Sequence, residues 1–187
     1  MTDTTPGEGP ATGVALFDTA IGRCGVAWRG DRLRAVQLPE RDDQATIRRL
    51  TGRLPGAVRA EPPPRVIQAM GAMAALLEGR RDQLLDIELD LDDIGAFEIS
   101  VYEVTRAIPP GETLTYGEVA RRIGDPGAAR AVGRALGANP LPIVIPCHRV
   151  LGAGGQLVGF SANGGTETKR RMLLIEGATA VPPSLFD

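Results

Sequence analysis

The chain has 187 residues, 43% of them hydrophobic but only 4% aromatic, with a formal net charge of −2. That supports a core of Leu, Val, Ile and Ala in one domain or in two small ones, and no apolar run reaches membrane-spanning length. Two distant cysteines, Cys24 and Cys147, and a lone histidine, His148, exclude a disulfide framework and a four-ligand structural zinc site, and the charge excludes a generic nucleic-acid coat protein.

The opening MTDTTPGEGPATG is polar and lacks the apolar stretch of a signal peptide, so residues 1–12 are expected to be a flexible tail. VALFDTAIGRCGVAWRGDRLRAVQLPE (14–40) alternates apolar and polar residues around Gly30-Asp31, which predicts a β-hairpin or meander. DDQATIRRLTGRL (42–54) predicts a short helix capped by an aspartate. PPPRVIQAMGAMAALLEGR (62–80) opens on prolines and then spaces Val66, Met70, Met73 and Leu77 as a helix does. LLDIELDLDD (84–93) alternates cleanly and predicts a strand, with Leu85, Ile87, Leu89 and Leu91 on one side. Residues 13–93 are thus expected to form an α/β N-terminal domain, a small sheet with helices.

The second half, 94–179, reads as mainly helical, with 180–187 as a C-terminal tail. AFEISVYEVTRAI (96–108) places Phe97, Val101, Val104 and Ile108 on one helical face. TYGEVARRIG (115–124) carries Thr115 and, three residues on, Glu118, the signature of a capping box. A break at Gly124-Asp125-Pro126-Gly127 precedes a second helix, AARAVGRALG (128–137), and the whole has the shape of a helix-turn-helix. The same spacing also serves ordinary helical scaffold. In the second helix Arg130 and Arg134 share a face among small residues that include Ala129 and Gly133. Such a thin helix suits phosphate and shape contacts better than readout of base edges. Five arginines (121, 122, 130, 134 and 149) lie within 120–150 against Asp125 alone, a candidate basic patch for a phosphate-lined partner.

LPIVIPCHRVLG (141–152) reads as a core-like strand that ends on Cys147, His148 and Arg149. A cysteine reacts as its thiolate and needs a base nearby. In an extended chain His148 would face away from the sulfur, so a bridging water or a bend is expected, with a third group orienting the imidazole. Glu176 in RRMLLIEGA is a candidate. The alternative is a structural thiol beside a satisfied polar residue; Cys24 is expected to be structural.

IPCHRV resembles the active-site signature of the O6-alkylguanine-DNA alkyltransferases, the methylated-DNA–protein-cysteine methyltransferases. FEISVYEVTRAIPPGETLTYGEVARRIG and AARAVGRALGANPLPIVIPCHRVLGAGGQLVGF are similar to the same family's helix-turn-helix and active-site loop, so the resemblance covers about residues 96–178. It implies a ribonuclease-H-like outline for the N-terminal domain and a winged-helix-like helix-turn-helix in the other. It also implies single-use transfer of an alkyl group from O6-alkylguanine in double-stranded DNA, with O4-alkylthymine a further substrate, to Cys147 without a cofactor or metal. The protein would be cytoplasmic, free of membrane, monomeric in solution and cooperative on DNA. His148 would take the thiol proton through a water and Glu176 would orient it. Asn139 would tie the helix-turn-helix to the active-site loop. Tyr116 would crowd the target phosphate and supply a proton to the leaving base, and Arg130 would fill the vacated stack. Carbonyls of Cys147 and Val150 would receive the guanine amino group, with Ser161 near O6. Phe160 stands where many members have tyrosine, and SANGGTETKRR (161–171) is about two residues longer than usual. A lesion sensor or helix-turn-helix regulator with a silent cysteine, and a cysteine hydrolase, are the rival readings.

Overall fold

The computed structural model describes residues 11–179; the two expected tails lie almost wholly outside the described residues. Strands β1 (Thr12–Thr19), β2 (Gly22–Arg29) and β3 (Arg32–Gln37) form the predicted meander. It turns at 20–21 as well as at Gly30-Asp31. A two-residue strand, β4 (Val58–Arg59), joins β1 in parallel to complete a mixed sheet in the order β3-β2-β1-β4. Helix α1 (Asp43–Thr51) begins where expected, because the Asp42 carboxylate accepts the Ala45 amide at 2.7 Å. It packs Leu50 against Val14, Ala27 and Ala35 on one face of the sheet. Helix α2 (Pro64–Leu76) covers the other face and buries Val66, Met73 and Leu76. With helices on both sides, β2 is buried continuously from Cys24 to Trp28 rather than alternately. Gly13 has no side chain for a reason: a Cβ there would come within 2.5 Å of the Trp28 ring.

The expected strand at 84–93 is not formed. Among the described residues its backbone pairs with the sheet through one isolated bridge, Leu33 to Leu89. Leu84 takes a left-handed φ of 56°, Leu85 turns out to solvent, and Asp90 turns inward. Arg29 and Arg34 both bind the Asp90 carboxylate, at 2.8 and 3.1 Å, and hold it in. The charge partners, not the apolar alternation, decide this segment.

Helix α3 (Ala96–Arg106) leads to β5 (Leu114–Thr115) and then α4 (Tyr116–Arg122). The capping box is present in both directions between Thr115 and Glu118. Helix α5 (Ala129–Gly137) follows the glycine-rich break, and α6 (Gly165–Ile175) closes the described chain. β5 pairs in parallel with β6 (Val150–Leu151), which ties the segment after Cys147 to the start of α4. One apolar core runs through both halves, from Val26, Val36 and Met73 to Val101, Val132 and Ile145. No helix among the described residues is long and apolar enough to cross a membrane.

Candidate active site and nucleic-acid interface

Residues 141–145 are not a strand. They form a buried turn closed by the Ile145 amide on the Leu141 carbonyl at 2.8 Å. Ile143 sits inside it with φ of 77°, a costly conformation for a β-branched residue. Asn139 holds the turn from within. Its Nδ2 donates to the Ile145 carbonyl at 2.8 Å and its Oδ1 accepts the Leu141 amide at 2.9 Å. Pro146 then bends the chain, and Cys147–Arg149 is a single 3-10 turn. Cys147 and His148 are therefore separated by a tight turn, not by strand alternation. Asn139→Ala removes two buried partners at once and should cost about 2–3 kcal/mol, read as a lower urea midpoint at unchanged m-value.

Cys147 lines a cleft whose walls include Tyr116, Asn139, Phe160 and Ser161, together with Val36 and Arg49 from the sheet half. Burial pushes the Cys147 thiol pKa up; the Asn139 side chain and the Lys169 charge pull it down but do not prevail. At neutral pH the sulfur therefore rests as a thiol and needs a base. The neighbouring His148 and Glu176 are both buried. His148 Nε2 is 2.8 Å from Glu176 Oε1. Burial holds the imidazole pKa below its usual value despite that carboxylate, so the ring is neutral. Facing a carboxylate, Nε2 carries the proton, and Nδ1 is left an acceptor, buried without a hydrogen-bond partner among the described residues.

Glu176 serves a second partner, and this one is a cation. Arg149 is 1% exposed and binds the same carboxylate at 2.7 and 2.9 Å, while its Nη1 donates to the Ile108 carbonyl at 2.6 Å. Arg149 thus leaves the expected surface patch; Arg121, Arg122, Arg130 and Arg134 are exposed. Burial alone would raise the Glu176 pKa, yet His148 and Arg149 outweigh it and hold it at about 2. A carboxylate with a depressed pKa stabilises the fold above its unfolded value and loses that contribution as pH falls toward the folded one. Stability should therefore drop by on the order of 3 kcal/mol between about pH 4.5 and 2. Glu176→Gln should flatten that acid limb in denaturation curves taken across the range.

Lys169 was not singled out by sequence reading. It is fully buried, with Nζ donating to the Val150 carbonyl at 2.6 Å and the Val158 carbonyl at 3.2 Å. The ammonium also lies 5.8 Å from the centre of the Tyr116 ring. Burial lowers its pKa to about 8, against the opposing pull of Cys147. The signal was in the spacing: Lys169, Met172, Leu173 and Glu176 follow the i, i+3, i+4, i+7 pattern and are all buried. Ions on an apolar helix face mark a buried electrostatic site.

The other expected residues fall as follows. The Tyr116 hydroxyl reaches the Val158 carbonyl at 3.4 Å. The Val150 carbonyl is engaged by Lys169 and the Cys147 carbonyl accepts the Val150 amide, which leaves each oxygen one further lone pair. Ser161 is exposed, and its carbonyl accepts from Arg49 at 2.9 Å. Arg130 and Arg134 project from α5 into solvent, away from the cleft lining, with no ion pair among the described residues. Ala129 and Gly133 are half-buried on the same helix, and Gly133 faces Tyr116, whose ring would lie 3.9 Å from an added Cβ.

Residues 96–178 match the family model described as 6-O-methylguanine DNA methyltransferase, DNA binding domain. A methylated-DNA–protein-cysteine methyltransferase of Mycolicibacterium paratuberculosis is 53% identical over 91 residues, covering 49% of this chain and 53% of that protein. One of Mycobacterium tuberculosis is 50% identical over 103 residues, covering 54% of this chain and 61% of that protein. The chain thus spans between half and two thirds of the length of these curated relatives. A crystal structure of the Mycobacterium tuberculosis O6-methylguanine methyltransferase superposes with a TM-score of 0.69 at 34% identity, over 94% of this chain and 99% of that one. A structure of the same organism's protein in complex with DNA matches equally well.

Proposed function

This chain belongs to the 6-O-methylguanine DNA methyltransferase family, and from that premise we propose that it repairs DNA by taking the alkyl group of O6-alkylguanine onto Cys147. The observation that carries the reading is the buried Glu176–His148 pair, which leaves Nδ1 without a hydrogen-bond partner among the described residues, on the residue next to Cys147. The thiol proton passes to His148 Nδ1 through a water, and Glu176 stabilises the imidazolium that results. The sulfur attacks the alkyl carbon, the S–C bond forms, and the C–O6 bond breaks with its electron pair left on guanine. Tyr116 donates a proton to the departing base and is reprotonated from solvent. The product is a thioether, which water does not cleave, so each chain acts once and needs no cofactor.

The alkylated O6 lies inside a duplex, so the nucleotide must swing out to reach the cleft. In this reading α5 docks on the double-stranded DNA. Arg130 enters the gap, Arg134 pairs with phosphate, and Ala129 and Gly133 allow close approach. Phe160 stacks on the extruded base, while the Val150 and Cys147 carbonyls accept its amino group and Ser161 lies near O6. Asn139 keeps the Cys147 turn in register with α5. The sheet half follows a ribonuclease-H-like outline, and β5, β6 and the two helices between them a winged-helix-like one. The chain works as a monomer in the reducing cytoplasm and binds adjacent copies cooperatively on DNA. A lesion sensor would have no use for a base poised behind a thiol.

Incubation with a duplex containing O6-methylguanine should place one methyl group on the peptide that carries Cys147, read by mass spectrometry. A methyl group on any other residue would refute the assignment. Phosphate contacts by Arg130 and Arg134 also require affinity for DNA to fall as salt rises; an affinity independent of salt would remove α5 from the interface.

A further inference from the structure

We infer that Arg49, from the sheet half of the molecule, is a positioning residue that straps the segment bearing Phe160 and Ser161 over Cys147, an inference that rests on the transfer reading above. Arg49 lies on α1, and its guanidinium spans two elements 112 residues apart in sequence. Nη1 binds Glu40 Oε1 at 2.9 Å, and Nη2 donates to the Ser161 carbonyl at 2.9 Å. Glu40 is itself fixed, since the Gln37 side chain donates to it at 3.1 Å and its own amide donates to Thr46 Oγ1 at 3.1 Å. The guanidinium is thereby aimed from the end of β3 at the mouth of the cleft, which both Arg49 and Cys147 line.

The segment packs Phe160 and Ala162 against the core but has few hydrogen bonds to fix its backbone. Among the described residues no backbone–backbone hydrogen bond joins Gly159, Phe160 or Ser161 to anything. Lys169 and Tyr116 fasten the Val158 carbonyl on one side, and the Gly165 amide fastens the Ala162 carbonyl on the other. Gly159 and Gly164, at φ of 55° and 81°, supply a conformational freedom at both ends that a side-chain-bearing residue would lack. Between those points the contact at Ser161 nearest a good hydrogen-bond distance is Arg49; the Ser161 hydroxyl reaches the Gly137 carbonyl only at 3.5 Å. The Arg49–Glu40 pair is partly exposed, so its contribution to global stability is small. Its contribution to position is not, because displacing a binding wall by about 1 Å can slow a reaction by up to about 100-fold.

The test uses the full chain with Arg49→Met, Arg49→Lys and Glu40→Gln. Hydrogen exchange at the Gly165 amide, which bonds the Ala162 carbonyl at the end of the segment, should speed up about tenfold in Arg49→Met. At saturating O6-methylguanine duplex, the single-turnover transfer rate should fall about tenfold, while the DNA concentration for half-maximal rate stays within about twofold of wild type. Arg49→Lys should restore part of both, and Glu40→Gln, which leaves Arg49 in place but unanchored, should show a weaker version of both. Unchanged exchange and rate in Arg49→Met would overturn the inference. So would an effect confined to the half-maximal DNA concentration, which would make Arg49 a DNA contact instead. Should the wild-type chain transfer no alkyl group, the transfer reading fails alone, and the exchange measurement still decides whether Arg49 straps the segment.

Discussion

Glu176→Ala should cost about 3–5 kcal/mol of stability and leave no measurable alkyl transfer. The residue is 5% exposed and its carboxylate is shared by His148 and Arg149. Removing it leaves a guanidinium buried without its counter-charge, which is among the costliest single changes a core can suffer. That loss approaches the whole stability of many domains, so the conservative variant separates chemistry from folding. Glu176→Gln also removes the counter-charge but keeps the shape and an acceptor oxygen for the Arg149 guanidinium, so it costs less than alanine while losing the charge that stabilises an imidazolium. Its transfer rate should fall roughly 100-fold in protein that remains folded at neutral pH. Urea denaturation and single-turnover kinetics on the same preparations decide the point. A Gln variant within about threefold of wild type would show that His148 does not act as a base supported by Glu176.

Arg130→Ala should behave in the opposite way, with almost no change in stability and a large loss on duplex DNA. The side chain is exposed and makes no ion pair among the described residues, so its removal should change stability by less than about 0.5 kcal/mol. If Arg130 fills the gap left by an extruded nucleotide, its loss exposes a cost of a few kcal/mol, or roughly 10- to 100-fold in rate. The comparison that isolates extrusion is the free base, O6-methylguanine, which has no stack to leave. Its slow reaction with Cys147 should be unchanged within about twofold by the substitution. Equal slowing of duplex and free base would place Arg130 in the cleft chemistry, contrary to its position on the outer face of α5.

Local signals in the sequence were enough for much of the fold. Asp42, the prolines before α2 and the Thr115–Glu118 capping box start helices by contacts within four residues, and each appears where expected. The meander follows from alternation and a Gly-Asp turn in the same way. What the sequence did not reveal depends on partners far along the chain. The alternation at 84–93 suggests a strand, but Asp90 is claimed by arginines about 60 residues earlier and turns the wrong way for one. Arg149 reads as one more surface cation until Glu176, 27 residues on, is seen to bury it. The run at 141–146 is apolar because it is buried, yet Asn139 closes it into a turn that no periodicity announces. In the site, Cys147, His148, Glu176 and Asn139 could be read from motif and resemblance, and the structure pairs His148 with Glu176 and sets Asn139 in the turn before Cys147. Arg49 escaped because an isolated basic residue in sequence looks the same whether it faces water or a carbonyl at 2.9 Å, and only its place on the apolar face of α6 marks Lys169.

The most direct test of the account is a titration of methyl groups lost from an O6-methylguanine duplex against the amount of protein added, for wild type and Cys147→Ala. The account predicts a line that ends at one methyl group per wild-type chain, with no second round at any time, and a flat line for the alanine variant. Continued loss beyond one equivalent, or any repair by the variant without its sulfur, would contradict it.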